Sequence, residues 1–291
     1  MIYVKNLKKK YGSYTAIDDI SFNVKKGEVF GFLGKNGAGK STTMNILNGL
    51  IKHDVGEVKV EGSVGYLPES PAFYDYMNAK EYLKFMGEII GYNKKNIEKR
   101  IDEILEVIDL TYASKKKIGG YSRGMKQRIG LGVAIFDNPD IVFLDEPTSA
   151  LDPKGRLDMI KIIERLKSEG KTVFLSSHIL NDVERVCDNI CILDGGKIIL
   201  NDSLEKIEEK YIQPIFDIEL EKEVENLEKY FKSLEGLQNI KVDGKIMSLY
   251  VNNKKIFGNK VYAAISEMPV QVMSCGFRKS SLEDIFFRMV K

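Results

Sequence analysis

The chain has 291 residues, of which 43% are hydrophobic and 30% are charged, the composition of a folded globular protein. Lys and Arg number 44 against 42 Asp and Glu, so the chain lacks the basic excess expected of a dedicated nucleic-acid binder. Three cysteines without a Cys-x-x-Cys pair argue against a disulfide framework or zinc site, and no apolar run approaches the ~20 residues that span a bilayer.

Residues 1–204 mix short β-branched strands with helical segments, the pattern of a mainly parallel α/β core. The strand signals lie at Glu28–Leu33, Ile141–Leu144, Thr172–Ser176 and Asn189–Leu193. Between about residues 74 and 120, apolar residues recur at three- and four-residue steps, which predicts two amphipathic helices. We therefore predict a helical subdomain inserted into the core.

The strongest local signal is the segment GKNGAGKS at 34–41, which fits the phosphate-loop pattern G-x-x-x-x-G-K-[ST] without a mismatch. Glycines let backbone N–H groups close around phosphate oxygens, and the following helix points its positive N-terminus at them. Lys40 would contact the terminal phosphates and Ser41 would bind Mg²⁺. A plain strand-to-helix turn is the alternative, which the context disfavours. The predicted nucleotide-binding residues here are Gly34, Lys35, Asn36, Gly37, Ala38, Gly39, Lys40, Ser41 and Thr42.

Two later strands end in groups suited to hydrolysis. The run IVFLDE at 141–146 ends in Asp145, which could reach the Mg²⁺ held by Ser41, and in Glu146, which could act as a general base toward water. The run VFLSSH ends in His178, which could bond the γ-phosphate or orient Glu146. The alternative is ordinary strand ends with solvated side chains, which the phosphate loop makes less favourable. The two predicted catalytic residues are Glu146 and His178.

Residues 205–291 change character and predict a second domain. Four strand-like runs and two helical ones, at 223–234 and 260–268, follow the order strand–helix–strand–strand–helix–strand of a ferredoxin-like fold. A terminal helix follows, with Ser280 and Glu283 as a capping box. Dimer support, regulation by a ligand and simple stability are the roles open to this domain, and dimer support is favoured because no ligand constellation is visible.

Further motifs carry a family resemblance. The segment YSRGMKQR at 121–128 resembles the signature motif of ABC transporter ATPases, and PTSALD at 147–152 resembles their D-loop. Tyr11 stands where the family stacks an aromatic ring on adenine, Glu69 stands at the Q-loop, and His178 matches the switch histidine. The resemblance covers about residues 1–204. The end of the chain, SLEDIFFRMVK, is similar to the tails of the antibiotic-efflux and sodium-extrusion group.

The resemblance implies an α/β, P-loop NTPase ABC ATPase core with an inserted helical subdomain, followed by a small α+β domain. It implies a homodimer arranged head to tail, in which each ATP lies between the phosphate loop of one subunit and the signature of the other. Ser122 and the backbone of Gly124 would touch the γ-phosphate. The residues that the resemblance adds are Tyr11, Glu69, Ser122, Gly124 and Asp152 for the nucleotide. For the metal it adds Glu69 to Ser41 and Asp145.

The resemblance also implies partners and a location. A separate transmembrane permease would grip the helical insert and the Glu69 loop, hold the chain at the cytoplasmic face of the membrane, and be driven by ATP hydrolysis. Export is preferred over import by the resemblance alone. No nucleic-acid partner is expected.

Two positions depart from the family pattern. The usual signature is Leu-Ser-Gly-Gly-Gln, whereas this chain has Tyr121, Arg123 and Met125. Arg123 is either an extra cation near the nucleotide or a solvated side chain, and solvation is favoured. Glu69 replaces a glutamine, so it can still bind Mg²⁺ through oxygen but cannot donate as an amide does.

A soluble ABC ATPase and a small-molecule kinase are the two alternatives to a transporter subunit. A soluble ABC ATPase acting on DNA or ribosomes would carry long coiled coils, tandem cassettes or a basic surface, and none of these is visible. A small-molecule kinase would share the phosphate loop but not the signature, the D-loop or the switch histidine. An exporter ATPase is therefore the leading hypothesis.

Overall fold

The computed structural model describes residues 1–149, 151–211, 214–224, 226–252, 254–278 and 282. Contacts divide the chain into two units, Met1–Leu204 and a second that begins at Glu205. Each unit has its own sheets and its own hydrophobic core.

The first unit is built on a six-stranded sheet with strand order β5-β6-β7-β3-β8-β9. All neighbours are parallel except β9, which runs antiparallel to β8. Every residue of β3, β6 and β7 is buried, which agrees with the apolar run at the centre of each strand. This confirms the predicted α/β core. The strands of the unit are β1 (Ile2–Tyr11), β2 (Tyr14–Val24), β3 (Val29–Gly34), β4 (Val55–Val60), β5 (Val64–Leu67), β6 (Ile141–Asp145), β7 (Thr172–Ser177), β8 (Asn189–Asp194) and β9 (Lys197–Ser203).

A smaller antiparallel sheet with order β2-β1-β4 shares its core with the large sheet. Phe22 on β2 stacks on Phe30 of β3, with ring centroids 5.6 Å apart, and lies 6.0 Å from the ring of Phe174 on β7. Aromatic pairs at these distances add to the free energy gained from burial. The shared core therefore fixes the β1–β2 hairpin beside the phosphate loop that follows β3.

Six helices accompany these sheets: α1 (Lys40–Leu47), α2 (Ala79–Ile89), α3 (Ile97–Val107), α4 (Arg123–Ala134), α5 (Pro153–Ser168) and α6 (Leu180–Val186). The two predicted amphipathic helices are α2 and α3, and α4 packs against both. Asn78 and Glu81 form a reciprocal capping box at the start of α2. Arg100 on α3 donates to the carbonyls of Ile135 and Phe136 at 2.8 Å, which satisfies the C-terminal end of α4.

The second unit contains a four-stranded antiparallel sheet with order β11-β12-β10-β13, the strand order of a ferredoxin-like fold. Its elements are α7 (Leu204–Tyr211), which starts at the last residue of the first unit, β10 (Ile215–Leu220), β11 (Leu237–Asp243), β12 (Ile246–Val251), α8 (Lys254–Ser266) and β13 (Val272–Phe277). The predicted helix at 260–268 lies mostly within α8.

The helix predicted at 223–234 is wrong for the residues that the structure describes. Only a 3-10 turn forms, at Leu227–Tyr230. Asn226 has φ 62°, a left-handed conformation that does not continue a right-handed helix. Leu227 and Phe231 still reach the core from this turn, so the segment buries its apolar face without a full helix.

Some predictions cannot be compared with the structure. The terminal helix with Ser280 and Glu283 lies outside the described residues, as does Ala150 of the D-loop segment. Within the described part of the chain, no helix has the length and apolarity that crossing a membrane requires. The three cysteines are unpaired, with Cys187 and Cys191 buried and Cys275 exposed.

Candidate nucleotide site

The phosphate-loop segment connects the end of β3 at Gly34 to the start of α1 at Lys40. Gly39 has φ 107°, and a Cβ there would lie 2.6 Å from the carbonyl oxygen of Ala16, so only glycine fits. The first turn of α1 has no acidic residue and no side-chain cap. Because the first N–H groups of a helix have no partner within it, they are left to bind an anion.

Lys40 is buried beside this loop, with 6% of its surface exposed. Its ammonium group donates to the carbonyl of Gly34 at 2.8 Å and to that of Lys35 at 3.3 Å. The same Nζ atom lies 3.3 Å from Oε1 of Glu146. Lys40 therefore links the loop to the end of β6, and it could exchange the carboxylate for phosphate oxygens.

Asp145 and Glu146 lie at the end of β6, and both are buried. The Ser176 hydroxyl on β7 donates to Oδ1 of Asp145 at 2.5 Å and accepts from the backbone N–H of Glu146 at 3.0 Å. Glu146 has φ 49°, which costs about 1–3 kcal/mol in a residue other than glycine. Its neighbours hold this strained backbone, which turns the Glu146 side chain away from the strand.

His178 follows β7 and pairs with Glu146. Its Nδ1 atom lies 2.8 Å from Oε2 of Glu146, and its side chain is half exposed. Of the two arrangements considered from the sequence, the structure has the contact with Glu146. A histidine in this place can orient the carboxylate and move a proton.

These groups surround one cavity of about 400 Å³, within the range of nucleotide-sized sites. The lining residues are Tyr11, Tyr14, Ala16, Asn36, Gly37, Gly39, Lys40, Ser41, Thr42, Glu69, Glu146 and His178. The structure thus brings together ten residues predicted from the sequence. The predicted residues that do not line the cavity are Gly34, Lys35, Ala38, Ser122, Gly124, Asp145 and Asp152.

Acidic groups at one side of the site suit a divalent cation. Burial raises the pKa of Tyr66 to about 12, and the negative charges of Asp145 and Glu69 add to the shift, so Tyr66 stays neutral near both. No cluster of three or more His, Cys, Asp or Glu side chains that could hold a metal occurs among the described residues. Mg²⁺ needs only one or two carboxylates when phosphates supply its other ligands, so Ser41 with Asp145 fits it.

The signature and D-loop residues lie at other helix ends. Ser122 is the N-cap of α4, where its hydroxyl accepts from Met125 N at 3.2 Å. Asp152 is the N-cap of α5 and accepts from Gly155 N at 2.9 Å. Arg123 is exposed and has no hydrogen bond or ion pair with the described residues, in agreement with the solvated reading.

The sequence analysis missed Tyr14, Ala16 and Ser176. Tyr14 pairs with Tyr11 across the β1–β2 turn, and its hydroxyl donates to the carbonyl of Gly37 at 3.2 Å. The two strand runs separated by Gly12 and Ser13 indicate a hairpin, which would have placed a second ring beside Tyr11. Ser176 could have been found from the parallel register, which pairs it with Asp145.

Comparison with known proteins gives the family. The ABC transporter family matches residues 17–149. The chain is 35% identical to the bacitracin transport ATP-binding protein BcrA of Bacillus licheniformis, over 100% of this chain and 97% of that protein. It is 37% identical to the lantibiotic transport ATP-binding protein SrtF of Streptococcus pyogenes, over 72% of this chain and 96% of that protein.

A solved structure is similar as well. The dimeric structure of an ATP-binding cassette in a post-hydrolysis state, bound to ADP and Pi, superimposes with a TM-score of 0.64 at 26% identity, covering 70% of this chain and 99% of that one. The chain belongs to the ABC transporter family, as one of its ATP-binding and ATP-hydrolysing subunits.

Proposed function

We propose that this chain is the motor subunit of an exporter, in which two copies close head to tail around two ATP molecules and reopen after hydrolysis. A separate transmembrane permease converts that motion into transport. The chain works at the cytoplasmic face of the membrane, where the permease holds it.

The observation that carries the proposal is the composition of the cavity. The cavity is lined by Lys40, Glu146 and His178, whereas Ser122 and Gly124 of the signature lie outside it. The cavity holds a lysine for phosphate and a carboxylate for water but no residue of the signature, so the signature of a second copy would complete it. Since one chain carries both halves, a homodimer contains two complete sites.

Within each site the residues have separate tasks. The α1 N-terminus and Lys40 bind the phosphates, and Tyr11 with Tyr14 offers aromatic surface to the base. Glu146 accepts a proton from the attacking water, and His178 keeps the Glu146 carboxylate in position. Because Lys40 also contacts Glu146, we expect phosphate binding to draw Lys40 away and leave Glu146 free for water.

Ser41 and Asp145 would hold Mg²⁺, with Glu69 available at the same side of the cavity. When bound, the ion neutralises charge that develops on the phosphate oxygens. Ser176 donates a hydrogen bond to Oδ1 of Asp145 and so would hold this carboxylate in place for the ion.

Export and the permease partner are supported by the relatives. BcrA and SrtF are named for the transport of bacitracin and of a lantibiotic. The insert offers a surface for a partner, since Tyr74 and Tyr76 are 47% and 67% exposed in an aromatic cluster with Phe85. Exposed aromatic clusters of this kind are typical of protein interfaces.

The test is to measure phosphate release from ATP and Mg²⁺ by the purified chain, alone and bound to its permease. We expect release in both cases and co-purification of the chain with a polytopic membrane protein. Absence of phosphate release in both preparations would refute the proposal. Salt-sensitive binding to DNA or ribosomes, without a membrane partner, would point instead to a soluble ABC ATPase.

A further inference from the structure

The segment between the Glu69 loop and α2 is bonded directly to the turn that precedes the signature motif. The backbone N–H of Gly119 donates to the carbonyl of Asp75 at 3.1 Å, and that of Ile118 donates to the carbonyl of Met77 at 2.8 Å. This turn, Ile118–Gly120, leads into Tyr121 and then into α4. Two distant parts of the sequence therefore share one backbone-bonded unit.

The side chain of Asp75 adds a second connection, to α4 itself. Its Oδ1 atom lies 3.1 Å from Nζ of Lys126. The backbone N–H of Lys126 donates to the carbonyl of Ser122 at 2.9 Å, so Lys126 lies in the first turn of α4, directly after the N-cap. Asp75 thus contacts the chain on both sides of Ser122. Its carbonyl accepts from Gly119 before Ser122, and its carboxylate pairs with Lys126 after it.

The packing at this junction is tight. A Cβ on Gly119 would lie 3.1 Å from both the Cβ and the carbonyl oxygen of Asp75. Next to it, Lys117 forms an ion pair with Glu81 of the α2 capping box at 3.2 Å. The turn before the signature therefore has little freedom to shift relative to the Asp75 segment.

We propose that Asp75 is a positioning residue for the ATP contact across the dimer. It holds the signature turn and α4 so that Ser122 faces the nucleotide bound to the second subunit. The inference rests on the proposed function. Tyr74 and Tyr76 lie on either side of Asp75, on the surface proposed for the permease. A displacement of this surface would therefore move the signature through Asp75, without involving the nucleotide.

The charge of the pair can be tested apart from the fold. The Asp75 and Lys126 side chains are 68% and 33% exposed, and an exposed ion pair contributes little to global stability. Asp75→Asn keeps the backbone bond to Gly119 and removes only the charge. Because the ion pair acts on Ser122, its loss affects closure of the dimer and not the binding of ATP to one chain.

The experiment measures ATP affinity, ATP-driven dimerisation and the melting temperature of the full chain. All variants carry Glu146→Gln, which prevents hydrolysis from reversing the dimer. The matched control is Asp102→Asn, which breaks the exposed Lys80–Asp102 pair of 2.6 Å between α2 and α3, away from the signature. The rescue variant, Asp75→Lys with Lys126→Asp, restores a pair of opposite charges with the signs exchanged.

We expect Asp75→Asn to weaken dimerisation by roughly two- to fivefold at low salt, the range for one exposed ion pair. ATP affinity and melting temperature should not change, and Asp102→Asn should behave as the parent. The exchanged pair should restore dimerisation. The deficit should disappear near 1 M salt, where the screening length falls to about 3 Å.

Three results would overturn the inference alone: normal dimerisation of Asp75→Asn, an equal defect in Asp102→Asn, or no recovery with the exchanged pair. A parent chain that stays monomeric with ATP would refute the proposed dimer and this inference together. Ser122→Arg tests the dimer independently of Asp75, because it should abolish dimerisation only if the signature meets ATP across the interface.

Discussion

At the scale of single residues, Lys40 has two competing partners. In the structure its ammonium group contacts two loop carbonyls and Glu146, while in the proposed complex it contacts phosphate. A buried lysine can serve both because its compact charge swings on a flexible stem. We therefore expect Lys40 to exchange its contact with Glu146 for one with phosphate when ATP binds.

We predict that Lys40→Ala weakens ATP binding by roughly 10- to 100-fold, the effect of losing a hydrogen bond to a charged group worth about 1.5–3 kcal/mol. Equilibrium binding of a fluorescent ATP analogue measures this. Lys161→Ala is the control, because Lys161 is an exposed lysine on α5 outside the cavity. Unchanged affinity in Lys40→Ala would contradict the phosphate-loop assignment.

Glu146→Gln should keep ATP affinity but slow phosphate release by roughly 10²–10⁴-fold, the usual contribution of a general base. The amide keeps the shape of the side chain and cannot accept the proton. Single-turnover phosphate release and nucleotide binding, measured on the same sample, separate the two effects. Full turnover in this variant would assign the base to another group, and His178, whose Nδ1 atom lies 2.8 Å from Glu146, is the next candidate.

At the scale of elements, the residues that could be predicted are those in short, continuous motifs. The segments 34–41 and 141–146 each carry their functional side chains on a single loop or strand end. The spacing of residues in the sequence is therefore enough to predict them. Tyr14 and Ser176 depend on strand pairing, which requires the hairpin register and the β6–β7 register to be known. The helix at 223–234 failed because periodicity cannot detect a left-handed residue such as Asn226.

Asp152, at the end of the D-loop segment, has one role that the structure shows and one that stays a prediction. Asp152 was predicted from the resemblance as a nucleotide-binding residue, but within one chain its carboxylate caps α5 through Gly155 N. We predict that Asp152→Ala lowers the free energy of unfolding by about 0.5–2 kcal/mol, the cost of losing an N-cap. Urea unfolding measures it, and Asp152→Asn should be near neutral because asparagine is an equally good N-cap.

If Asp152→Asn keeps normal stability yet loses ATPase activity, the charge at 152 acts in the dimer in addition to capping. If Asp152→Ala is as stable as the parent, the N-cap interpretation is wrong. The two substitutions therefore separate the role of Asp152 in α5 from its proposed role at the nucleotide.

At the scale of the whole molecule, the function of the first unit could be inferred from its sequence, whereas that of the second unit could not. The first unit matches a family whose motifs specify both fold and chemistry, whereas the strand order of the second unit specifies a fold that hosts many functions. Dimer support by the second unit therefore stays a prediction. The head-to-tail arrangement of the first unit can be tested without knowing the permease.

The test is complementation between two inactive variants. Lys40→Ala destroys the phosphate loop but keeps the signature, and Ser122→Arg keeps the phosphate loop but destroys the signature. In a mixed head-to-tail dimer, one site combines the intact phosphate loop of one chain with the intact signature of the other, while the second site loses both. Mixing the two variants should therefore restore part of the phosphate release that neither shows alone.

The control is a chain that carries both substitutions, which offers no intact half-site and should not complement Lys40→Ala or Ser122→Arg. Phosphate release from mixtures at several ratios should be greatest near equal amounts, because the mixed dimer is then most abundant. Sites formed within one chain would give no recovery at any ratio. Such a result would mean that Ser122 acts on the cavity of its own chain, and the head-to-tail arrangement would be wrong.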